Sequence, residues 1–223
     1  MRTRNSDQPN SVSRSLMKVI QMKNSVGGVF NFRKATQALN YFARQGGGKI
    51  SKIKALKLVY LADRYHLRKY GRLITNDSYF AMEFGPVPSG VKDIAQECSD
   101  FLSSVEQPYA SEYIKPIGTS DFKSIQPVDE NVFSDSDLEA IRYIWDHFSA
   151  FQPFELSEIS HSFPEWSKHR KTLDMVSRVP IDITDFFEES GTELDRHFES
   201  DSISKELFKQ GFEENTYLEA LWK

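Results

Sequence analysis

The stretch from Ser51 to Gly71, "SKIKALKLVYLADRYHLRKYG", sets the hardest condition on the fold. Ser51 is a capping residue type and Gly71 a natural helix stop, so the run between them reads as one helix. Ile53, Leu56, Tyr60 and Leu67 lie along one side of it. Leu58, Val59 and Ala62 widen the stripe, which requires cover on more than one side. Yet between Lys49 and Arg72 there are eight basic residues (Lys49, Lys52, Lys54, Lys57, Arg64, Arg68, Lys69, Arg72) and one acid, Asp63. Such a face either binds phosphate, with affinity falling as salt rises, or is solvated and salt-bridged. No helix-turn-helix signature supports DNA reading.

The same imbalance runs through the whole chain. Residues 1–72 hold 16 Lys and Arg against 2 acids, a charge of +14, while residues 73–223 hold 12 against 30, a charge of −18, which together give the net −4. Contact with nucleic acid, pairing of the two parts inside one fold, and an acidic surface for a basic partner all fit this division. With 223 residues, 39% of them apolar and 13% aromatic, the chain can build a substantial core.

Residues 1–28 are rich in Ser, Asn and Arg and read as a basic flexible arm, with at most a short helix near Leu16 to Met22. From Asn31, a capping residue, Phe32, Ala35, Leu39 and Phe42 recur at helical spacing until the glycines at 46–48. Val91, Ile94, Ala95, Cys98, Phe101 and Leu102 mark another helix. Residues 108–133, with three prolines and two β-leaning runs, fit a small hairpin or an irregular excursion. "SDSD" at 134–137 has the form of a capping box, and Leu138, Ile141, Trp145 and Phe148 follow it. Shorter helices are expected at "FELSEISH" and at "PEWSKHR", the latter with Pro164 in its first turn. Asp182 or Thr184 caps a further segment. A final amphipathic helix begins near Ser202 and carries Leu207, Phe208, Phe212, Leu218, Leu221 and Trp222. The fold expected is mainly α: a compact helical domain with a small β-hairpin or strand element.

"YFAMEFGPVPSGV", residues 79–91, interrupts the helices. Phe80, Met82 and Phe84 alternate with Tyr79, Ala81 and Glu83 as in a half-buried strand. Gly85 permits unusual backbone angles, and Pro86 and Pro88 hold their neighbours extended and remove two N–H donors. Ser89 is placed to cap the next helix. The segment therefore reads as a rigid corner between strand and helix, with no nucleophile.

Chemistry is sparse elsewhere. "GGGKIS" fails the phosphate-loop pattern, since Ala43 stands where its first glycine belongs and Ile50 where Ser or Thr is needed. "SISK" at 202–205 lacks the companion motifs of a serine–lysine nucleophile. No pair of the five histidines has zinc-ligand spacing, and the lone Cys98 fits an inert core thiol. No enzyme, catalytic residue, metal or cofactor is expected. No apolar run reaches the ~20 residues of a membrane span, and the N-terminus has no apolar stretch of the signal-peptide kind, so the expected location is cytoplasmic.

"KLVYLADRYHLRKYGRLITNDSYFAMEFGPVPSGV", residues 57–91, resembles the Panacea domain of SocA-like antitoxins from bacterial and phage-borne toxin–antitoxin systems. The matching pieces are the Lys-Leu-x-Tyr start, the Ala-Asp and His-Leu pairs, the Gly-Arg at the helix end, the Tyr-x-Ala strand and Gly-Pro-Val. "LSEISHSFPEW", residues 156–166, is similar to the family's later Leu-Ser-x-x-x-His element and its Trp. The resemblance spans roughly residues 32–170. It divides the chain into the arm at 1–28, a Panacea domain at 29–180 and an acidic helical extension packed on the domain at 181–223.

The resemblance implies a non-enzymatic antitoxin whose partner is a cognate toxin encoded by the adjacent gene. Direct neutralisation is the leading mechanism. Delivery of the toxin to a cytosolic protease, and DNA-binding autoregulation through the arm and the basic helix, are the alternatives. Residues 182–219, with 12 acids against 3 basic residues, would attract a toxin with a basic cleft. His66, Arg72, Tyr79, Phe84, Pro86 and Trp166 are the candidate partner-binding residues, because aromatics dominate interface hot spots. Lys57, Tyr60, Asp63, Arg64, Gly71, Gly85, Val87 and His161 are the structural motif residues, with Asp63 expected to pair with Arg64 or Arg72 and His161 to be a satisfied buried histidine. The contrary reading, in which the candidate anchors simply form the core, stays open at this level.

Overall fold

A computed structural model describes residues 29–97, 100–199 and 202–221. Among these residues are nine α-helices and six short strands, so the architecture is mainly α with minor β. The arm at 1–28, Cys98 and Trp222 lie outside the described residues.

Helix α1 (Phe32–Gln45) starts where the Asn31 side chain accepts the Lys34 N–H at 3.1 Å, and the glycines lead into strand β1 (Lys49–Ser51). Ser51 then caps helix α2 (Lys52–Tyr70), accepting from the Lys54 N–H at 3.2 Å. Gly71 ends α2 with φ 73°, and a Cβ there would come within 2.7 Å of the Phe208 ring, so backbone and packing both require glycine.

Every residue from Ala55 to Arg68 is buried. The helix is the centre of the molecule, packed on α1, on α5 (Asp135–Phe148) and α6 (Pro153–His161), and on the terminal helix α9 (Ser202–Leu221). The capping box at Ser134 and Asp137 starts α5 as its sequence indicates. The "PEWSKHR" helix is split into two single turns, α7 (Pro164–Ser167) and α8 (Arg170–Leu173). Asp182 caps a 3₁₀ turn over Ile183–Phe187.

Strand β1 joins an antiparallel hairpin of β4 (Ile114–Ile117) and β5 (Asp121–Ser124), which follows α4 (Glu106–Tyr113). A second sheet has the order β3-β2-β6, from β2 (Tyr79–Met82), β3 (Gly85–Pro88) and β6 (Arg178–Pro180). The expected corner is thus a hairpin, with Glu83 and Phe84 as its two-residue turn. Tyr79, Phe80 and Ala81 are all buried, so the half-buried alternation is absent. Pro86 and Pro88 are tolerated because β3 is an edge strand, where missing N–H groups leave no neighbour unpaired.

Ser89 does not cap helix α3 (Ser89–Gln96); Pro88 holds that position and offers no side-chain bond. The buried Asp77 carboxylate does the work instead, accepting the N–H groups of Gly90 at 2.9 Å and Val91 at 2.8 Å. Burial pushes the Asp77 pKa up to about 7, against the pull of those donors. Helix α3 also stops earlier than its apolar spacing indicates, at a left-handed Glu97, which leaves Phe101 exposed. Of the expected apolar set among the described residues of α9, Phe208 and Phe212 turn to the core, while Leu207, Leu218 and Leu221 are exposed.

The segment after β6 has little regular structure, and α2 holds it. Ile183, Phe186, Phe187 and Phe198 enter the common core. Arg68, itself buried, donates to the carbonyls of Phe198 at 2.7 Å, Phe186 at 3.0 Å and Glu188 at 3.1 Å, and to the Glu189 carboxylate at 2.7 Å. Arg64 donates to the Glu188 carbonyl and, through Nε, to Glu165 at 2.8 Å, where Tyr60 also donates at 2.5 Å. Irregular backbone has no ladder to satisfy its carbonyls, and a guanidinium with five donors supplies one. Part of the charge division is therefore spent within the fold: Lys34 and Arg72 pair with Asp137, Arg64 with Glu165, Arg68 with Glu189 and Lys69 with Glu139.

Because Arg64 and Glu165 are both wholly inaccessible, Glu165→Ala strands a buried guanidinium and is expected to cost about 3–5 kcal/mol of stability. Urea denaturation measures it; a loss below about 1 kcal/mol contradicts the pair's structural role.

Candidate functional site

A cavity of about 610 Å³ opens beside the β2–β3 hairpin. Its apolar walls come from Ile53 and Leu56 at the start of α2, Met82, Phe84 and Val87 of the hairpin, Trp166 of α7, and Leu173 and Val176 before β6. Lys57 lies against it from the interior, and Lys92, Arg170, Glu83 and Asp174 bring charge to it.

The hairpin is fixed tightly over this space. Gly85 has φ +99°, and a Cβ on it would meet Ser160 Oγ and stand 2.5 Å from Lys57 Nζ. Lys57 Nζ donates to the Pro86 carbonyl at 2.9 Å. Trp166 Nε1 donates to the Met82 carbonyl at 2.7 Å, and the His161 ring stacks on the Trp166 ring at 3.7 Å. Strand, α2 and α7 are thus joined by two hydrogen bonds that end on hairpin carbonyls.

Around the opening, apolar side chains face water. Phe84 is 48% exposed and meets Phe154, 63% exposed, edge to face at 6.2 Å. Val176, 46% exposed, stands on the other wall. Isolated apolar residues on a surface are ordinary, whereas a cluster around a concave space marks a contact site.

The candidate partner-binding residues fall into two groups. Phe84 and Trp166 line the cavity. Tyr79 is buried and donates to Asp63 at 2.7 Å, Pro86 is buried with its carbonyl on Lys57, and His66 is inaccessible. Arg72 is half-exposed beside Asp137, to which it is bonded at 2.9 Å, and does not line the cavity. His66 Nδ1 meets the Arg72 carbonyl at 2.7 Å and must donate to it, so Nε2 accepts from Ser136 at 3.0 Å. Burial lowers the His66 pKa to about 4, which keeps the ring neutral.

The motif residues also find their duties. Asp63 pairs with neither Arg64 nor Arg72; it accepts the N–H groups of Ile74 and Thr75 and the hydroxyls of Thr75 and Tyr79, ordering the chain between α2 and β2. A carboxylate so surrounded by donors needs no cation. Val87 lines the cavity. His161 is partly exposed rather than buried, since it lies on Trp166 near the mouth. Phe154, Arg170 and Val176 escape sequence reading, because each is distant in the chain from the hairpin and carries no motif.

A model described as "Antitoxin SocA-like, Panacea domain" matches residues 56–167. The chain belongs to this family. The matched segment runs from the second turn of α2 to the end of α7 and includes the hairpin, Lys57 and Trp166. No curated protein and no solved structure matches the chain. The Panacea domain is an antitoxin domain, typically non-enzymatic, and implies a cognate toxin as partner. Among the described residues no group of three or more His, Cys, Asp and Glu could hold a metal ion, and no helix is long and apolar enough to cross a membrane.

Burial without a carboxylate lowers the Lys57 pKa to about 7. Below that pH the amine is charged folded and unfolded, and the folded state bears the desolvation. Between about 7 and 10.5 only the unfolded state keeps the proton, so stability rises with pH. Denaturation of wild type and Lys57→Met should show the wild type gaining on the variant by roughly 1.4 kcal/mol per pH unit across that window. A pH-independent difference contradicts it.

Proposed function

We propose that this protein is the antitoxin of a toxin–antitoxin pair and neutralises its toxin by direct contact through the apolar rim and cavity beside the hairpin. The exposed Phe84 and Val176 on the lining of a concave space, with the exposed Phe154 against Phe84, carry the reading. The rigid hairpin supports it, because anchors already held in place lose little conformational freedom on binding. A stable complex buries on the order of 1,200 Å² or more, so the contact extends beyond the cavity onto neighbouring surface.

The basic helix gives little support to DNA-binding autoregulation. Lys57, Arg64 and Arg68 are buried, and Lys69 and Arg72 are ion-paired. The acids after residue 181 are likewise partly engaged, Asp185 with Lys168 and Glu189 with Arg68 and Lys205.

Co-expression with the product of the adjacent gene tests the proposal. Wild type should restore growth, and Phe84→Ala with Phe154→Ala should weaken the complex about tenfold to a hundredfold, the range for losing two interface aromatics, without lowering the thermal midpoint. Toxin levels should stay constant; a fall in toxin abundance would point to the protease adaptor instead. Full rescue by the double variant places the contact elsewhere.

A further inference from the structure

Three basic side chains are buried among the described residues, and two of them meet a carboxylate: Arg64 meets Glu165 and Arg68 meets Glu189. Lys57 meets none. Its ammonium has three donors, of which one is used on the Pro86 carbonyl. It is also the one of the three that lines the cavity. Gly85 makes this possible, since any side chain there would occupy the space of Nζ.

The surroundings define what could answer that amine. Ile53, Leu56, Val87, Trp166 and Leu173 give apolar walls. Lys92 and Arg170 add positive charge at the cavity and form no ion pair among the described residues, whereas Glu83 and Asp174 oppose a run of acids. His161, near enough to act on Lys57, has its pKa lowered by burial and is neutral at pH 8. A single negative charge among apolar groups fits this set; a polyanion does not.

We infer that the cavity receives an extended segment of the toxin carrying one Asp or Glu side chain flanked by apolar residues, with the Lys57 ammonium as its counter-ion. A side chain suits the arrangement better than a chain terminus, because Lys57 is buried while Phe84 and Val176 at the rim are exposed, and a side chain reaches inward while the backbone of its segment stays at the rim. The inference rests on direct binding of the toxin, and names the chemistry of the contact. Binding protonates Lys57, so the complex takes up a proton wherever the free amine is neutral.

The test uses the full chain and the purified toxin from the adjacent gene. Calorimetry at pH 8 in two buffers of different ionisation enthalpy should show uptake approaching one proton per complex, and affinity should fall toward tenfold per pH unit above about 7. Lys57→Met should weaken binding tenfold or more at pH 6.5 and flatten the pH profile. In the toxin, one Asp→Asn or Glu→Gln change should reproduce both effects and add nothing to Lys57→Met. If Lys57→Met fails to fold, the wild-type protein with the toxin amide series decides alone. Binding without proton uptake, a wild-type pH profile in Lys57→Met, or dependence on the toxin's terminal carboxylate overturns the inference while direct neutralisation stands. Absence of binding at every pH removes both.

Discussion

The structure depends on burying a basic helix. A cation taken out of water is tolerated only where donors and charge find partners, so enclosing α2 commits the rest of the chain to supplying them. Glu165 comes from α7, Glu189 from the segment after β6, and the carbonyls of Phe186, Glu188 and Phe198 from backbone that has no sheet or helix of its own to enter. The aromatic rings complete the enclosure: the Arg64 guanidinium lies 4.1 Å from the Phe163 ring centre, and Phe186 meets Tyr60 and Tyr79 edge to face. One helix thereby holds the segment 181–198 in place.

The same logic sets Lys57 apart. It sits two turns N-terminal to Arg64, where the cover is the β2–β3 hairpin rather than the C-terminal segment, and the hairpin gives its amine a carbonyl but no carboxylate partner. Each buried arginine meets a carboxylate, whereas Lys57 at this end meets none. That end coincides with the cavity and with the exposed Phe84 and Phe154. Apolar surface and unanswered charge in one place distinguish it from the rest of the described surface.

Local signals were readable wherever chemistry and structure are neighbours in sequence. The caps at Asn31, Ser51 and Ser134, the stop at Gly71 and the hairpin near residues 114–124 all follow from residues within a few positions of one another. Long-range duties were not. Nothing near Arg68 announces that its acceptors lie some 120 residues on, and a basic run with periodic leucines looks the same whether it faces water or a carbonyl-rich segment. Asp77 was missed as the cap of α3 because its partners are thirteen and fourteen residues away, past a hairpin. For the candidate site, the peculiar composition of residues 79–91 pointed to the hairpin that borders the cavity. It did not distinguish Tyr79 and Pro86, turned inward, from Phe84, turned outward at the hairpin turn, since that depends on where the two strands reverse.

The family match ends at residue 167, but the physical unit does not. Glu165 lies inside the matched segment and answers Arg64, whereas every acceptor of Arg68 lies beyond it, at residues 186–198. Phe186, Phe187 and Phe198 close the core on the same side, and Phe208 covers Gly71. A chain cut at 167 would expose this face of α2 and leave a guanidinium beside apolar side chains without its carbonyls. Leu173, Asp174, Val176 and Ser177, on one wall of the cavity, would go as well. The segment after α7 is therefore part of what makes both α2 and the candidate site possible, and a binding surface built from the hairpin alone would lack the opposite wall that gives it concavity.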